Sequence, residues 1–230
     1  MATERKFKTL LGSLPFFADF DPVALQTIMP LFQEKKYKKN SVIFLEGDEG
    51  NDFYIIKSGV VKIYSFDGVR KVILAFFRDG DFFGEMALMK KGLFRSATAE
   101  TLEPTVLYVL KRADFEKLLE TNNKLTQHLL FATMDRLRKA NEQIQDLTFL
   151  NVRTRIYKML IRLSDDHGVA KQNGVMINLK LTHQQIADMV GAVRETVTKV
   201  LLELQEEGLI SIDRKKILIK DMNILEKMGS

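Results

Sequence analysis

From Arg112 to about Thr148 the chain carries neither Gly nor Pro, whereas between Lys38 and Leu110 turn signals interrupt it every few residues. Two such regimes cannot belong to one kind of structural layer. The earlier stretch contains Glu46-Gly47-Asp48, Lys57-Ser58-Gly59, Asp67-Gly68 and Arg78-Asp79-Gly80-Asp81, separated by runs rich in β-branched and aromatic residues. Closely spaced short strands with Gly/Asp turns predict an all-β barrel or jelly roll. Ahead of them, Pro22 opens a predicted helix with Asp21 as its N-cap. The uninterrupted stretch predicts one long helix or two in succession. Within it Leu130, Met134, Leu137, Asn141, Ile144 and Thr148 recur at alternating steps of four and three, and Ala140 and Leu147 widen the stripe. This is a coiled-coil-like seam. A helix packed on its own domain is the alternative, but such a length outruns a small β-domain, so the seam predicts a homodimer. Polar Asn141 inside it either sets register or touches a ligand.

A second helical region follows. Asn151 caps a predicted helix over 152–163, leaving residues 149–151 as a hinge. Residues 167–174 read as a polar turn and 176–179 as a strand. Thr182, followed three residues later by Gln185, forms a capping box, and Gly191 ends the short helix that starts there. A second helix begins almost at once in Ala192-Val193-Arg194-Glu195-Thr196-Val197-Thr198-Lys199. Two short helices joined by a Gly turn are the helix-turn-helix pattern. Residues 211–219 read as two strands turning at 213–215, a wing. The predicted class is therefore α+β: an N-terminal β-roll (1–112), a dimerisation helix and hinge (113–150), and a C-terminal winged helix-turn-helix (151–230).

Composition removes several functions. With no cysteine, disulfides, thiolate chemistry and iron–sulfur clusters are excluded. The three histidines, His128, His167 and His183, are far apart, so no metal site is expected. None precedes Lys111, which argues against haem in the β-domain. There is no nucleophile–base motif and no phosphate-cradling Walker loop, so an enzyme is not expected. No apolar run reaches the roughly 20 residues of a membrane span, and no signal-like segment follows Met1, so a cytoplasmic location and no membrane partner are expected. A net charge of +5 permits nucleic acid as a partner without requiring it.

The chemistry of the second short helix is more specific. Val197, Val200, Leu201 and Leu204 form its predicted buried face, turning Arg194, Glu195, Thr198 and Lys199 outward. Arg bonds guanine N7 and O6 together, Glu accepts from cytosine N4, and Lys reaches guanine. Thr182, Gln184 and Thr196 suit phosphates, helped by helix N-terminal amides.

The block 181–210, especially Val193-Arg194-Glu195-Thr196-Val197, resembles the DNA-binding domain of the cyclic AMP receptor protein and fumarate–nitrate regulator (Crp/Fnr) superfamily. So do Gly80-Asp81-Phe82-Phe83-Gly84-Glu85-Met86-Ala87-Leu88 and Arg95-Ser96-Ala97-Thr98-Ala99, and the hinge Phe149-Leu150-Asn151-Val152. The resemblance covers nearly the whole chain. It implies a homodimer whose recognition helices enter successive major grooves about 34 Å apart on near-palindromic double-stranded DNA. It also implies RNA polymerase as a partner and a half-site related to TGTGA. Arg194, Glu195 and Lys199 match base-reading positions, the last commonly Arg in that family. Gly84, Glu85, Met86, Ala87, Arg95 and Ser96 match a phosphate-binding cassette for a cyclic nucleotide, cyclic AMP first among candidates. There Arg95 neutralises the phosphate, Ser96 donates to it, and Glu85 accepts from the ribose 2'-hydroxyl. Adenine-facing positions, usually Thr then Ser, correspond to Ala140 and Asn141, and only Asn141 offers a side-chain hydrogen bond. Phe76 and Phe77 make the pocket wall bulky. A ligand-independent regulator with a vestigial pocket, or one with another effector, is the alternative; Glu85 and Arg95 pairing with one another would serve it.

Overall fold

The computed structural model describes residues 22–229, which divide into two compact bodies. One comprises Ile73–Arg136 with the described residues up to Asp67, the other Gly68–Val72 with the described residues from Leu137 onward. Helix α1 (Pro22–Ile28) begins at Pro22 as predicted; the predicted cap Asp21 lies outside the described residues.

The first body is a two-sheet roll. Strands β1 (Gln33–Tyr37), β2 (Val42–Phe44), β3 (Asp52–Ser58), β4 (Val61–Phe66), β5 (Lys71–Phe77), β6 (Phe82–Phe83), β7 (Thr98–Thr101) and β8 (Thr105–Lys111) form two four-stranded sheets ordered β1-β8-β3-β6 and β2-β7-β4-β5. β3 pairs antiparallel with β8, placing Phe53 opposite Leu110 and Ile56 opposite Leu107. Both faces of β3 are covered, which is why its apolar run is continuous instead of alternating. Tyr54 and Ile56 face the interior between the sheets with Val61, Phe83, Leu107 and Val109. Phe53 and Ile55 face the helices α1, α2 (Arg112–Thr121) and the start of α3 (Asn123–Phe149), packing with Phe82, Phe115, Leu125 and Leu129. Burying each such Leu, Ile or Phe contributes about 1.5–3 kcal/mol. The Gly- and Pro-free stretch is thus two helices in succession, broken at Asn122.

In the second body, Asn151 caps α4 (Val152–His167), its side chain accepting from the Thr154 amide at 3.0 Å. The helix runs one turn beyond the predicted end. The polar segment read as a turn is instead strand β9 (Gly168–Lys171), hairpinned onto β10 (Gly174–Ile177). Its residues are mostly exposed, so backbone pairing rather than apolar pattern makes it a strand. Helices α5 (His183–Val190) and α6 (Arg194–Glu206) follow, then β11 (Ile210–Asp213), β12 (Lys216–Ile219) and α7 (Met222–Gly229). The sheet order is β11-β12-β10-β9. Ile156, Leu160, Ile186, Val197, Leu201 and Leu204 are all at most 1% exposed and form its core.

Candidate functional site

The helix-turn-helix is held by local bonds. Thr182 Oγ1 accepts from the Gln185 amide while the Gln185 side chain accepts from the Thr182 amide at 2.9 Å, completing the box. Gly191 takes φ 63°, a left-handed conformation that costs L side chains roughly 1–2 kcal/mol, and so turns the chain sharply into α6. Val197, Val200, Leu201 and Leu204 are buried as predicted, and Val193, Arg194, Glu195 and Lys199 are exposed. No side chain caps the first amides of α6, at whose N-cap Val193 stands. Arg194, Glu195, Thr198 and Lys199 line one open groove with Leu202, Glu203 and Glu206. Thr198 is only half-exposed, and its hydroxyl donates to the Arg194 carbonyl at 2.9 Å. Gln184 is exposed and donates to Asp188 at 2.8 Å. The wing turns at Arg214 (φ 46°) and Lys215 (φ 68°), two cations in left-handed backbone. The Lys215 carbonyl accepts from the Leu181 amide at 2.9 Å. That bond anchors the wing tip beside the start of α5.

In the first body the predicted cassette residues Gly84, Glu85, Met86, Ala87, Arg95 and Ser96 come together. Gly84 has φ 86°, and a Cβ there would stand 2.7 Å from Arg95 Nη1 and 3.2 Å from the Asp52 carbonyl. Arg95, 5% exposed, donates to the carbonyls of Gly84 (2.7 Å) and Asp52 (2.8 Å) and lies over the Phe44 ring. Burial draws its guanidinium below its ordinary pKa, opposed by the fields of Tyr54, Asp52 and Glu85. Ser96 meets the Met86 sulfur at 3.7 Å; Met86 is exposed and Ala87 buried. Glu85 and Arg95 do not pair with one another. Glu85 Oε1 accepts from Arg136 at 2.8 Å instead. Two buried atoms of the cassette, Glu85 Oε2 and Arg95 Nε, have no partner among the described residues. Asn141 is exposed on α3, in the part of that helix belonging to the second body.

Two residues carry no signal in the sequence. Arg136 holds Glu85 and also donates to the Phe82 carbonyl, its guanidinium over the Phe77 and Phe82 rings. Arg112 donates to the carbonyls of Gly50, Ala87 and Leu88 at 2.6, 2.7 and 3.1 Å, fastening the cassette to the start of α2. Neither could be found from local spacing, because each partner lies on a distant strand or loop. The seam residues Leu130, Met134, Leu137, Ile144 and Leu147 are 51–61% exposed in the single chain. No helix among the described residues is long and apolar enough to cross a membrane.

Known proteins place these features in a family. Residues 34–122 match the cyclic nucleotide-binding domain and residues 154–228 the Crp-like helix-turn-helix domain. A CRP-like cAMP-activated global transcriptional regulator of Mycobacterium tuberculosis is 30% identical over 95% of this chain and 97% of its own. The anaerobic regulatory protein of Bacillus subtilis is 32% identical over 84% and 82%. Among solved structures, a CRP/FNR-family transcriptional regulator from Thermus thermophilus superposes with a TM-score of 0.69 at 31% identity, covering 86% of this chain and 98% of that one. A CooA mutant from Carboxydothermus hydrogenoformans, at 22% identity and a TM-score of 0.76, covers 89% and 90% and shares the fold. With both halves matched in order and relatives aligned along nearly the full length, the chain belongs to the Crp/Fnr superfamily and is a DNA-binding transcription regulator, not an enzyme.

Proposed function

We propose that this regulator works as a cytoplasmic homodimer that reads a near-palindromic operator and is switched by a cyclic nucleotide, cyclic AMP first among them. In this reading residues 1–112 are the sensor, 113–150 the dimerisation helix and hinge, and 151–230 the DNA-binding domain. Arg194, Glu195 and Lys199, with Thr198, read base edges in the major groove, while Thr182, Gln184, Thr196 and the amides after Val193 meet phosphates. RNA polymerase is the partner through which such binding acts on transcription.

The observation that carries the ligand half is the pair of orphaned atoms in the cassette. Arg95 Nε is a buried donor and Glu85 Oε2 a buried acceptor, each without a partner among the described residues. An unsatisfied buried polar group costs about 1–3 kcal/mol. A cyclic phosphate offers acceptors to Arg95 and Ser96, and a ribose 2'-hydroxyl offers a donor to Glu85, so the residues present fit the group. The backbone at Gly84, Met86 and Ala87 is assigned to the anion, and Asn141 to the purine. Such a ligand changes DNA affinity only if it binds two states of the protein unequally.

A second reading, a regulator independent of small ligands, is favoured by one specific fact. Arg136 and two backbone carbonyls already satisfy much of Glu85 and Arg95 within the protein. Anisotropy of a labelled operator, with and without cyclic AMP, separates the two. The switch reading expects about tenfold tighter binding with ligand, the scale of a ~1.4 kcal/mol coupling, abolished in Arg95→Ala and weakened in Ser96→Ala. Because Arg95 also holds two carbonyls, thermal melting must accompany the first variant. Tight operator binding with no calorimetric heat from any cyclic nucleotide establishes the second reading instead.

A further inference from the structure

We propose that α6 reads thymine through an apolar edge made of the Thr198 methyl and Leu202, so that the operator half-site presents a thymine C5-methyl beside the bases met by Arg194 and Lys199. The inference rests on the DNA-binding reading above. It adds a residue which that reading does not use, Leu202, and names the group by which Thr198 acts.

Thr198 is half-exposed on the open groove face of α6, and its hydroxyl is already engaged. Oγ1 lies 2.9 Å from the Arg194 carbonyl and 2.8 Å from His183 Nδ1. A hydroxyl has one hydrogen to give, and both neighbours able to take it belong to the protein. That holds for either tautomer of the His183 ring. With the oxygen turned toward the helix's own backbone and the start of α5, the methyl is the part of the side chain left for the groove. Leu202 stands four residues on, hence on the same face of the helix. It lines the same groove and is 51% exposed, although the residues around it are charged. A solvent-facing Leu among Lys199, Glu203 and Glu206 adds nothing to the core of the second body, which Val197, Val200, Leu201 and Leu204 supply from the other face.

The chemistry selects the base. Base edges in the major groove present hydrogen-bond donors and acceptors, and the apolar group among them is the thymine C5-methyl. An apolar edge on a helix that enters this groove therefore has one class of complement: thymine, or a cytosine carrying the same methyl group. The carboxylates on this face do not compete for it. Glu203 is drawn to Arg153 of α4 at 2.9 Å, Glu195 suits the cytosine amino group, and Glu206 lies a further turn along the helix, beyond Leu202. Arg194 and Lys199 remain free to meet guanine on either side of the apolar edge.

The test uses the full chain and a duplex recovered by selection from a random-sequence pool. Each thymine of the half-site is replaced in both halves, one position at a time, by deoxyuridine, which removes the C5-methyl alone. Anisotropy should show one position at which the parent loses roughly fourfold in affinity per half-site. That loss should vanish in Thr198→Ser, which lacks the methyl but keeps the hydroxyl, and persist in Thr198→Val, which keeps a methyl and lacks the hydroxyl. In Leu202→Ala it should shrink to about twofold or less, since the base methyl is then uncovered on one side. Thermal melting of each variant confirms that it folds. A selected half-site without thymine, a deoxyuridine loss unaltered in both Thr198→Ser and Leu202→Ala, or one kept by Thr198→Ser and lost in Thr198→Val overturns the proposal. No sequence-selective binding at all overturns the DNA reading along with it.

Discussion

Arg95 shows how one side chain serves two demands. Its charge suits a phosphate, yet in the folded protein its hydrogen bonds go to the backbone of Gly84 and Asp52. The spacing between Gly84 and Arg95 is readable as a pattern, and the structure supplies its steric reason. A side chain at position 84 would collide with the guanidinium and would also sit at φ 86°. Gly84→Ala should therefore lower stability by about 2 kcal/mol, combining left-handed strain with displacement of Arg95. Urea unfolding monitored by circular dichroism measures it, and a change under about 0.5 kcal/mol, the scale of an ordinary surface substitution, would mean that the close approach is not needed. Glu85 teaches the complementary lesson. Its partner Arg136 is 51 residues away, and no local spacing connects an acid on a loop to a cation on a helix that far along the chain.

At the scale of elements, the wing is the most informative. Its two-residue turn takes positive φ at both Arg214 and Lys215, where Asn-Gly is the favoured pair. Keeping two cations in that backbone is a local cost, which fits a tip that meets DNA phosphate. The double variant Arg214→Asn, Lys215→Gly should be more stable by about 1 kcal/mol. It should also bind operator more weakly, with a salt dependence shallower by roughly one unit for each phosphate no longer neutralised. Thermal melting and a salt titration read the two effects separately; unchanged affinity would remove the wing from the interface. The capping box of α5 and the Gly turn into α6 are legible in the sequence because they close within three or four residues. Strand β9 is not, because only pairing with β10 makes its polar residues a strand.

For the whole molecule, the exposed stripe on α3 is the seam of the proposed homodimer. Leu137 and Ile144 are each 61% exposed in the single chain, and large apolar side chains repeated along one helix face call for a partner. The double variant Leu137→Lys, Ile144→Lys should sediment as a monomer at micromolar concentration while keeping its helical content. Its operator affinity should fall at least ~100-fold, since the two half-sites are then bound without the effective concentration that linkage supplies. A variant that remains dimeric would place the interface elsewhere. The sequence by itself determined the succession of a β-rich part, a helical stretch and a helix-turn-helix with its wing, and the exposed Arg194, Glu195 and Lys199 of α6, since periodicity, caps and turns are decided by near neighbours; strand β9 and helix α7 were not among what it determined. Only the tertiary structure decided which buried charges met: Glu85 with Arg136, Arg95 with two carbonyls, and Asp146 with Lys158 and Arg162. Those pairings depend on where the folded sheets and helices bring distant residues, and desolvation then demands a partner at whatever distance along the chain one is found.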